Sequence, residues 1–134
     1  MNKEEMDEFL VSIGGLERTY REDKGPIVDA HYFSVYEGWY PIIKDLINEL
    51  IALGWDKRAV QVKEKFGGLR FYIETYPEGA HEVISKHEKL SYETCEKCGE
   101  KGTNRKIKGW LHTLCDDHAK EKEDEKLKKE QDGI

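Results

Sequence analysis

Cys95, Cys98, Cys115 and His118 read C-x2-C, sixteen intervening residues, then C-x2-H. Thiolate sulfur and imidazole nitrogen in two close pairs at that separation suit a closed tetrahedral Zn²⁺ site. These are the only three cysteines of the chain. A disulfide framework would strand one of them, and the start Met1-Asn2-Lys3-Glu4-Glu5-Met6-Asp7 is acidic and helix-forming rather than a secretory signal. Buried free cysteines can also serve as small core residues, but the paired spacing favours ligation. His112 is the rival fourth ligand, although it sits three residues before Cys115. Four protein donors leave no open position for a substrate water, and no H-x-E or H-E-x-x-H pattern accompanies them. The metal expected here is structural: it folds a segment too poor in apolar residues to fold alone.

The segments around the four ligands must bring them together. Gly102 to Thr113 is long enough for a small hairpin, and Leu114-Cys115-Asp116-Asp117-His118-Ala119 opens a run of helix formers. A knuckle, a hairpin and a helix whose first turn supplies the last two ligands together look like a treble-clef zinc finger, over residues 92–119. The tail, 120–134, is almost all Glu, Lys and Asp. Pairs such as Asp124 with Lys128 and Glu125 with Lys129 favour a solvated helix there.

The remaining sequence predicts an α+β core over residues 1–91. Met6, Phe9, Leu10, Ile13 and Leu16 recur at helical spacing, with Gly14-Gly15 as a stop. Residues 17–25 read as a polar loop, and 26–36 are aromatic and β-branched enough for part of them to be extended. The clearest helix is a spine over 39–54. Trp39, Ile42, Ile43, Leu46, Ile47, Leu50, Ile51 and Leu53 form one apolar stripe, with Pro41 in the first turn and Gly54 at the end. A hairpin over 59–75 and a short helix over 80–90, bearing Val83, Ile84, His87 and Leu90, complete it. His87 lies on the apolar stripe of its helix and is expected to pack rather than to act as a base.

Composition bounds the function. Of 134 residues, 37% are charged and 37% apolar, so the core is modest, and no apolar run is long enough to span a bilayer. A soluble protein of a reducing compartment is expected. The net charge of −6 is uneven: residues 1–58 carry −5, while residues 95–115 carry +3. An acidic whole disfavours bulk nucleic-acid binding, which depends on neutralising phosphates, but allows a local basic site.

Such a site is expected on the 59–75 hairpin. With Gly67-Gly68 as the two-residue turn, Phe66 faces Leu69, Lys65 faces Arg70 and Lys63 faces Tyr72. Alternation then sends Val60, Val62, Phe66, Leu69, Phe71 and Ile73 to the core. It leaves Lys63, Lys65, Arg70 and Tyr72 on the other face. Lys65 opposite Arg70 is a repulsive pair. An anionic ligand would offset it, with Tyr72 stacking on a base. So would internal pairing with acidic side chains, or solvation. Glu64 falls on the apolar face, which calls for a buried cation or a register shifted near Phe66-Gly67-Gly68.

The string from Gln61 through Lys63-Glu64-Lys65-Phe66-Gly67-Gly68-Leu69-Arg70-Phe71-Tyr72, the C-x2-C-G pair, Gly109-Trp110 and Thr113-Leu114-Cys115-Asp116-Asp117-His118-Ala119 resembles a set of small bacteriophage and prophage proteins. Glu37-Gly38-Trp39 belongs to the same likeness, which covers residues 35–119. The resemblance implies a phage-type accessory protein in a bacterial cytoplasm, of a kind that often binds or inhibits host factors, defence systems included. It transfers no catalytic residue. The function expected is therefore a non-catalytic binder of an anionic small molecule, such as a nucleotide signal of host defence, or of a host protein. A nucleic-acid-binding zinc-finger regulator, supported by Arg105-Lys106-Ile107-Lys108, is the alternative. A nuclease is the least favoured class, because His112 and His118 lie too close to the structural ligands to form a second site.

Overall fold

The computed structural model describes residues 1–14 and 33–132. The loop expected at 17–25, most of the extended stretch at 26–36, and Gly15, Leu16 and His31 lie outside the described residues. Within them the protein is α+β, with four α-helices and two antiparallel hairpins. Helix α1 (Lys3–Ser12) starts on a capping box: Asn2 Oδ1 accepts from Glu5 N–H, and Glu5 Oε1 accepts from Asn2 N–H. It buries Met6 and Leu10. Helix α2 (Tyr40–Ala52) is the expected spine, preceded by one 3₁₀ turn, Glu37–Trp39. Pro41 sits where no intrahelical donor is needed. Gly54, with φ of 92°, lies just beyond the helix end. Trp39, Tyr40, Ile43, Leu46, Ile47 and Leu50 are fully buried.

Strands β1 (Ala59–Lys65) and β2 (Gly68–Ile73) form the first hairpin, and helix α3 (Ala80–Ser91) packs against both β2 and α2. Val62, Leu69, Phe71 and Ile73 join the α2 stripe, Trp55 and Ile84 in the core. The outer edge of β2 is closed by side chains rather than by another strand. Leu69 N–H donates to Ser91 Oγ at 2.8 Å, Phe71 N–H to Glu88 Oε2 at 3.3 Å, and Ile73 N–H to the Tyr76 hydroxyl at 3.5 Å. Each satisfies a ladder donor that the two-stranded sheet leaves over. On the β1 side, Ser34 N–H donates to Val62 O and Ser34 O accepts from Glu64 N–H. His87 packs as expected: it is buried, with Nδ1 at 2.8 Å from Val83 O and Nε2 at 2.9 Å from Glu49.

The hairpin turn sits one residue earlier than expected, which shifts each cross-strand partner by two. Lys65 pairs with Gly68, Glu64 with Leu69, Lys63 with Arg70 and Val62 with Phe71, with an irregularity between Ala59 and Gln61. The turn is Phe66-Gly67, with φ of 56° and 79°, the left-handed pair of a type I′ turn. Arg70 therefore faces Lys63, not Lys65. Phe66 is not a core residue; it is 61% exposed. The reason is tertiary. A Cβ on Gly68 would run into the Tyr92 ring, and one on Gly67 into Asn104 and the His112 backbone. Gly68 is thus needed for strand packing, and the turn moves back by one. The second hairpin repeats the device: β3 (Thr103–Ile107) and β4 (Trp110–Leu114) are joined by Lys108-Gly109, with φ of 54° and 83°. Helix α4 (Asp116–Asp132) follows. No helix among the described residues is long and apolar enough to cross a membrane.

Candidate functional site

Cys95 and Cys98 lie on a tight knuckle between α3 and β3. Cys95 N–H donates to Glu100 O, Gly99 N–H to Cys95 O, and Thr94 bridges Lys101. Cys115 ends the second hairpin, and His118 stands on the first turn of α4. All four donor atoms lie within 4.8 Å of one another. Cys98 Sγ is 3.9 Å from Cys115 Sγ, Cys95 Sγ is 3.6 Å from His118 Nδ1, and Cys115 Sγ is 3.1 Å from His118 Nδ1. A tetrahedron with metal–sulfur bonds of about 2.3 Å and metal–nitrogen bonds of about 2.0–2.1 Å has edges of about 3.8 Å and 3.5 Å. The cluster is therefore compatible with a four-coordinate metal, and no disulfide joins its cysteines.

The donor chemistry points the same way. Burial pushes the Cys95 thiol up, but the backbone N–H groups of Cys115, Cys98 and Lys97 outweigh it and bring the value down to about 7. Burial, and then the neighbouring Cys95 and Cys115 sulfurs, push Cys98 up to about 11. The other ring nitrogen of His118, Nε2, lies 3.7 Å from Glu121. That distance is beyond hydrogen-bond reach; the ring presents Nδ1 to the sulfurs of Cys95 and Cys115. His112 stands apart: its Nδ1 is 3.4 Å from Glu96, whose carboxylate also receives Thr113 N–H. Burial raises the Glu96 pKa, with His112 opposing.

The cluster is joined to the α+β core along a close seam. Gly38 N–H donates to Glu96 O, and a Cβ on Gly38 would collide with the Cys95–Glu96 backbone. Trp39 Nε1 donates to Thr94 O at 2.9 Å. The first hairpin's turn rests on the second hairpin: Thr113 Oγ1 donates to Gly67 O at 2.6 Å, and Asn104 Nδ2 donates to Phe66 O and to Thr113 Oγ1, both at 3.2 Å. Glu64 Oε2 accepts from Gly67 N–H at 2.7 Å. That contact accounts for a carboxylate on the apolar face: it caps the turn rather than meeting a buried cation.

Lys63, Lys65, Arg70 and Tyr72 do share the face of the first hairpin away from the core. Arg70 is engaged within the protein, however. Its guanidinium donates to the Tyr92 hydroxyl at 2.8 Å and to Leu69 O at 2.9 Å. Lys65 extends over the Phe66 ring, 5.5 Å from its centre. Arg105 is likewise taken, by Asp116 and Leu114 O.

A groove of about 490 Å³ opens between the two hairpin tips, lined by Lys65, Phe66, Lys106, Trp110, Leu111 and His112 among others. Sequence reasoning did not find it, because Phe66 was assigned inward. The available signal was a glycine at the second turn position of each tip, Phe66-Gly67 and Lys108-Gly109, which admits a type I′ turn at the cost of strain in the residue before it. No family model, curated protein or solved structure matches the chain.

Proposed function

We propose that Cys95, Cys98, Cys115 and His118 hold a structural zinc ion in a treble-clef-like module, and that the protein is a non-catalytic binding protein of phage-accessory type. The observation that carries the zinc reading is the closure of four donor atoms within 4.8 Å. The knuckle, the β3–β4 hairpin and the α4 turn that supply them support the treble-clef description. The module's own buried cluster is Cys95, Ile107, Leu114 and Ala119, too small a core to order a segment of this length without metal. Three cysteines and a histidine fill a tetrahedron, which supports a structural rather than a hydrolytic role.

Binding is the function that remains, and the second hairpin carries it. Zinc fixes this hairpin, and the hairpin in turn seats the tip of the first. The ligand is anionic, either a small molecule or an acidic host-protein surface, since Lys65 and Lys106 stand at the tips without an ion-pair partner among the described residues. The alternative, a zinc-finger regulator of nucleic acid, draws less support: Arg105 is tied to Asp116, and the chain is acidic.

The zinc reading is tested by metal analysis of purified protein, with one zinc per chain expected. Cys98→Ser should release it and unfold the segment around residues 92–119, seen as lost amide protection there. Protein without stoichiometric zinc, or a variant that keeps both fold and metal, would overturn it.

A further inference from the structure

The groove between the hairpin tips combines three features that a plain surface would not. The first is exposed aromatic area on both sides. Trp110 is 74% exposed and Phe66 61%, the two most exposed large apolar side chains among the described residues. Phe66 is also held at φ of 56°, where Asn, Asp or Gly is the unstrained choice. A phenylalanine that is strained and buries little of itself contributes nothing evident to folding. An outlier of that kind points to a role for the ring itself.

The second feature is charge. Lys65 and Lys106 line the groove, and neither makes an ion pair among the described residues. Glu64 also lines the groove and, though it accepts from Gly67 N–H, keeps its negative charge, so the two lysines outnumber the one carboxylate of the lining. The groove therefore presents net positive charge in a protein whose total is −6. The third feature is preorganisation. Asn104 and Thr113 pin the backbone of Phe66-Gly67 to the second hairpin, so the two walls are held relative to each other before any ligand arrives. At about 490 Å³ the space falls within the usual range for a small-molecule site.

We infer that this groove binds a nucleotide, with the base lying against the Trp110 and Phe66 rings and the phosphate meeting the Lys65 and Lys106 ammonium groups. Aromatic faces accept any base, and ammonium groups make charge-assisted contacts to phosphate oxygens. The inference rests on the binding-protein reading above and gives that reading a ligand class and a place. Free nucleotide and single-stranded nucleic acid share this chemistry. The net charge of −6 favours the free nucleotide, since strand binding depends on neutralising many phosphates.

The test uses the zinc-loaded full chain, with AMP, ribose 5-phosphate, adenosine and a short oligothymidylate as probes. Trp39 and Trp55 are buried, so quenching of the exposed Trp110 reports on the groove, and calorimetry checks it. Saturable binding of AMP, at least about tenfold tighter than ribose 5-phosphate or adenosine, is expected. Trp110→Ala should weaken AMP binding at least about tenfold. Phe66→Asn should weaken it similarly while leaving the melting temperature unchanged or higher, because the turn strain is relieved. An oligothymidylate that binds where AMP does not would assign the same base-and-phosphate chemistry to a strand. No saturable binding of either probe by protein with full zinc content would overturn the nucleotide site and leave the zinc reading intact. Phe66→Asn that melts higher and binds AMP as tightly as wild type would overturn the role given to the ring.

Discussion

Thr113→Val tests whether the two hairpins are fastened to each other as the hydrogen bonds indicate. Thr113 is completely buried. Its hydroxyl donates to Gly67 O and accepts from Asn104 Nδ2. Valine keeps the shape and removes the hydroxyl, so the packing loss is small and the polar loss dominates. The Gly67 carbonyl then stays buried without its donor, at a cost of about 1–3 kcal/mol. Asn104 Nδ2 keeps its contact to Phe66 O, which limits the second loss to a few tenths of a kcal/mol. The expected total is about 1.5–3 kcal/mol.

Urea unfolding with zinc present gives this value directly. A fall in melting temperature of roughly 3–5 °C per kcal/mol should accompany it at this chain length. Two controls isolate the cause. Thr103→Val lies on β3 at an exposed position of the same sheet, and should stay within about 0.5 kcal/mol of wild type. Thr113→Ser keeps the hydroxyl and loses one methyl, so it should cost only about 1 kcal/mol. Thr113→Val behaving like Thr103→Val would refute the seam. So would Thr113→Ser costing more than Thr113→Val, which would make the methyl rather than the hydroxyl the important group.

Leu46→Ala removes a fully buried side chain from the α2 stripe and should cost about 2–5 kcal/mol in the same unfolding assay. Lys44, on the exposed side, makes only a cation–π contact with Phe9, so Lys44→Ala should cost less than about 1 kcal/mol. Glu88 supplies the pH test. Burial raises its pKa above the ordinary 4.5, against the opposing Phe71 N–H and Arg70. The folded state therefore holds this proton more tightly than the unfolded chain does. Its contribution is complete below the ordinary value and is lost as pH rises through the folded one. Glu88→Gln, which retains an acceptor for Phe71 N–H, should gain stability relative to wild type as pH rises from near 4.5 upward. A difference between the two proteins that is flat with pH, or has the opposite slope, contradicts the assignment.

What the sequence disclosed was what local spacing controls. The α2 stripe follows from a 3.6-residue period, and the four donors from two C-x2 steps, so neither depends on a distant residue. The register of the first hairpin depends on one. Phe66-Gly67-Gly68 allows the turn to sit on either adjacent pair, and both choices keep Val62, Leu69, Phe71 and Ile73 on one face, because moving the turn by one residue shifts the cross-strand partners by two. Tyr92 and Asn104 decide it, from 24 and 37 positions beyond Gly68 and Gly67 respectively. With that shift Lys63 replaces Lys65 as the cation opposite Arg70, and Glu64 caps the turn through Gly67 N–H. The groove was hidden for the same reason, since turning Phe66 outward is what creates one of its walls.

The motif string singled out in the sequence is scattered over some eighty residues, yet it converges on one place in the fold. Gly38 and Trp39 meet the knuckle at Thr94–Glu96. Gly67 meets Asn104 and Thr113, and Gly68 meets Tyr92. Side chains at Gly38, Gly67 and Gly68 would fall within van der Waals distance of backbone or side-chain atoms, so glycine is demanded by close approach at all three and by its left-handed backbone as well at Gly67. A seam of this kind would couple a metal held by the four donors to the core. Loss of the ion would free the second hairpin, and with it the support under the Phe66-Gly67 turn. The groove between the tips would then lose its shape although no ligand of the metal lines it. Metal content and ligand affinity should accordingly fall together in cysteine variants, whereas Trp110 variants should lose affinity alone. That asymmetry distinguishes a metal that organises a binding surface from one that belongs to a separate appendage.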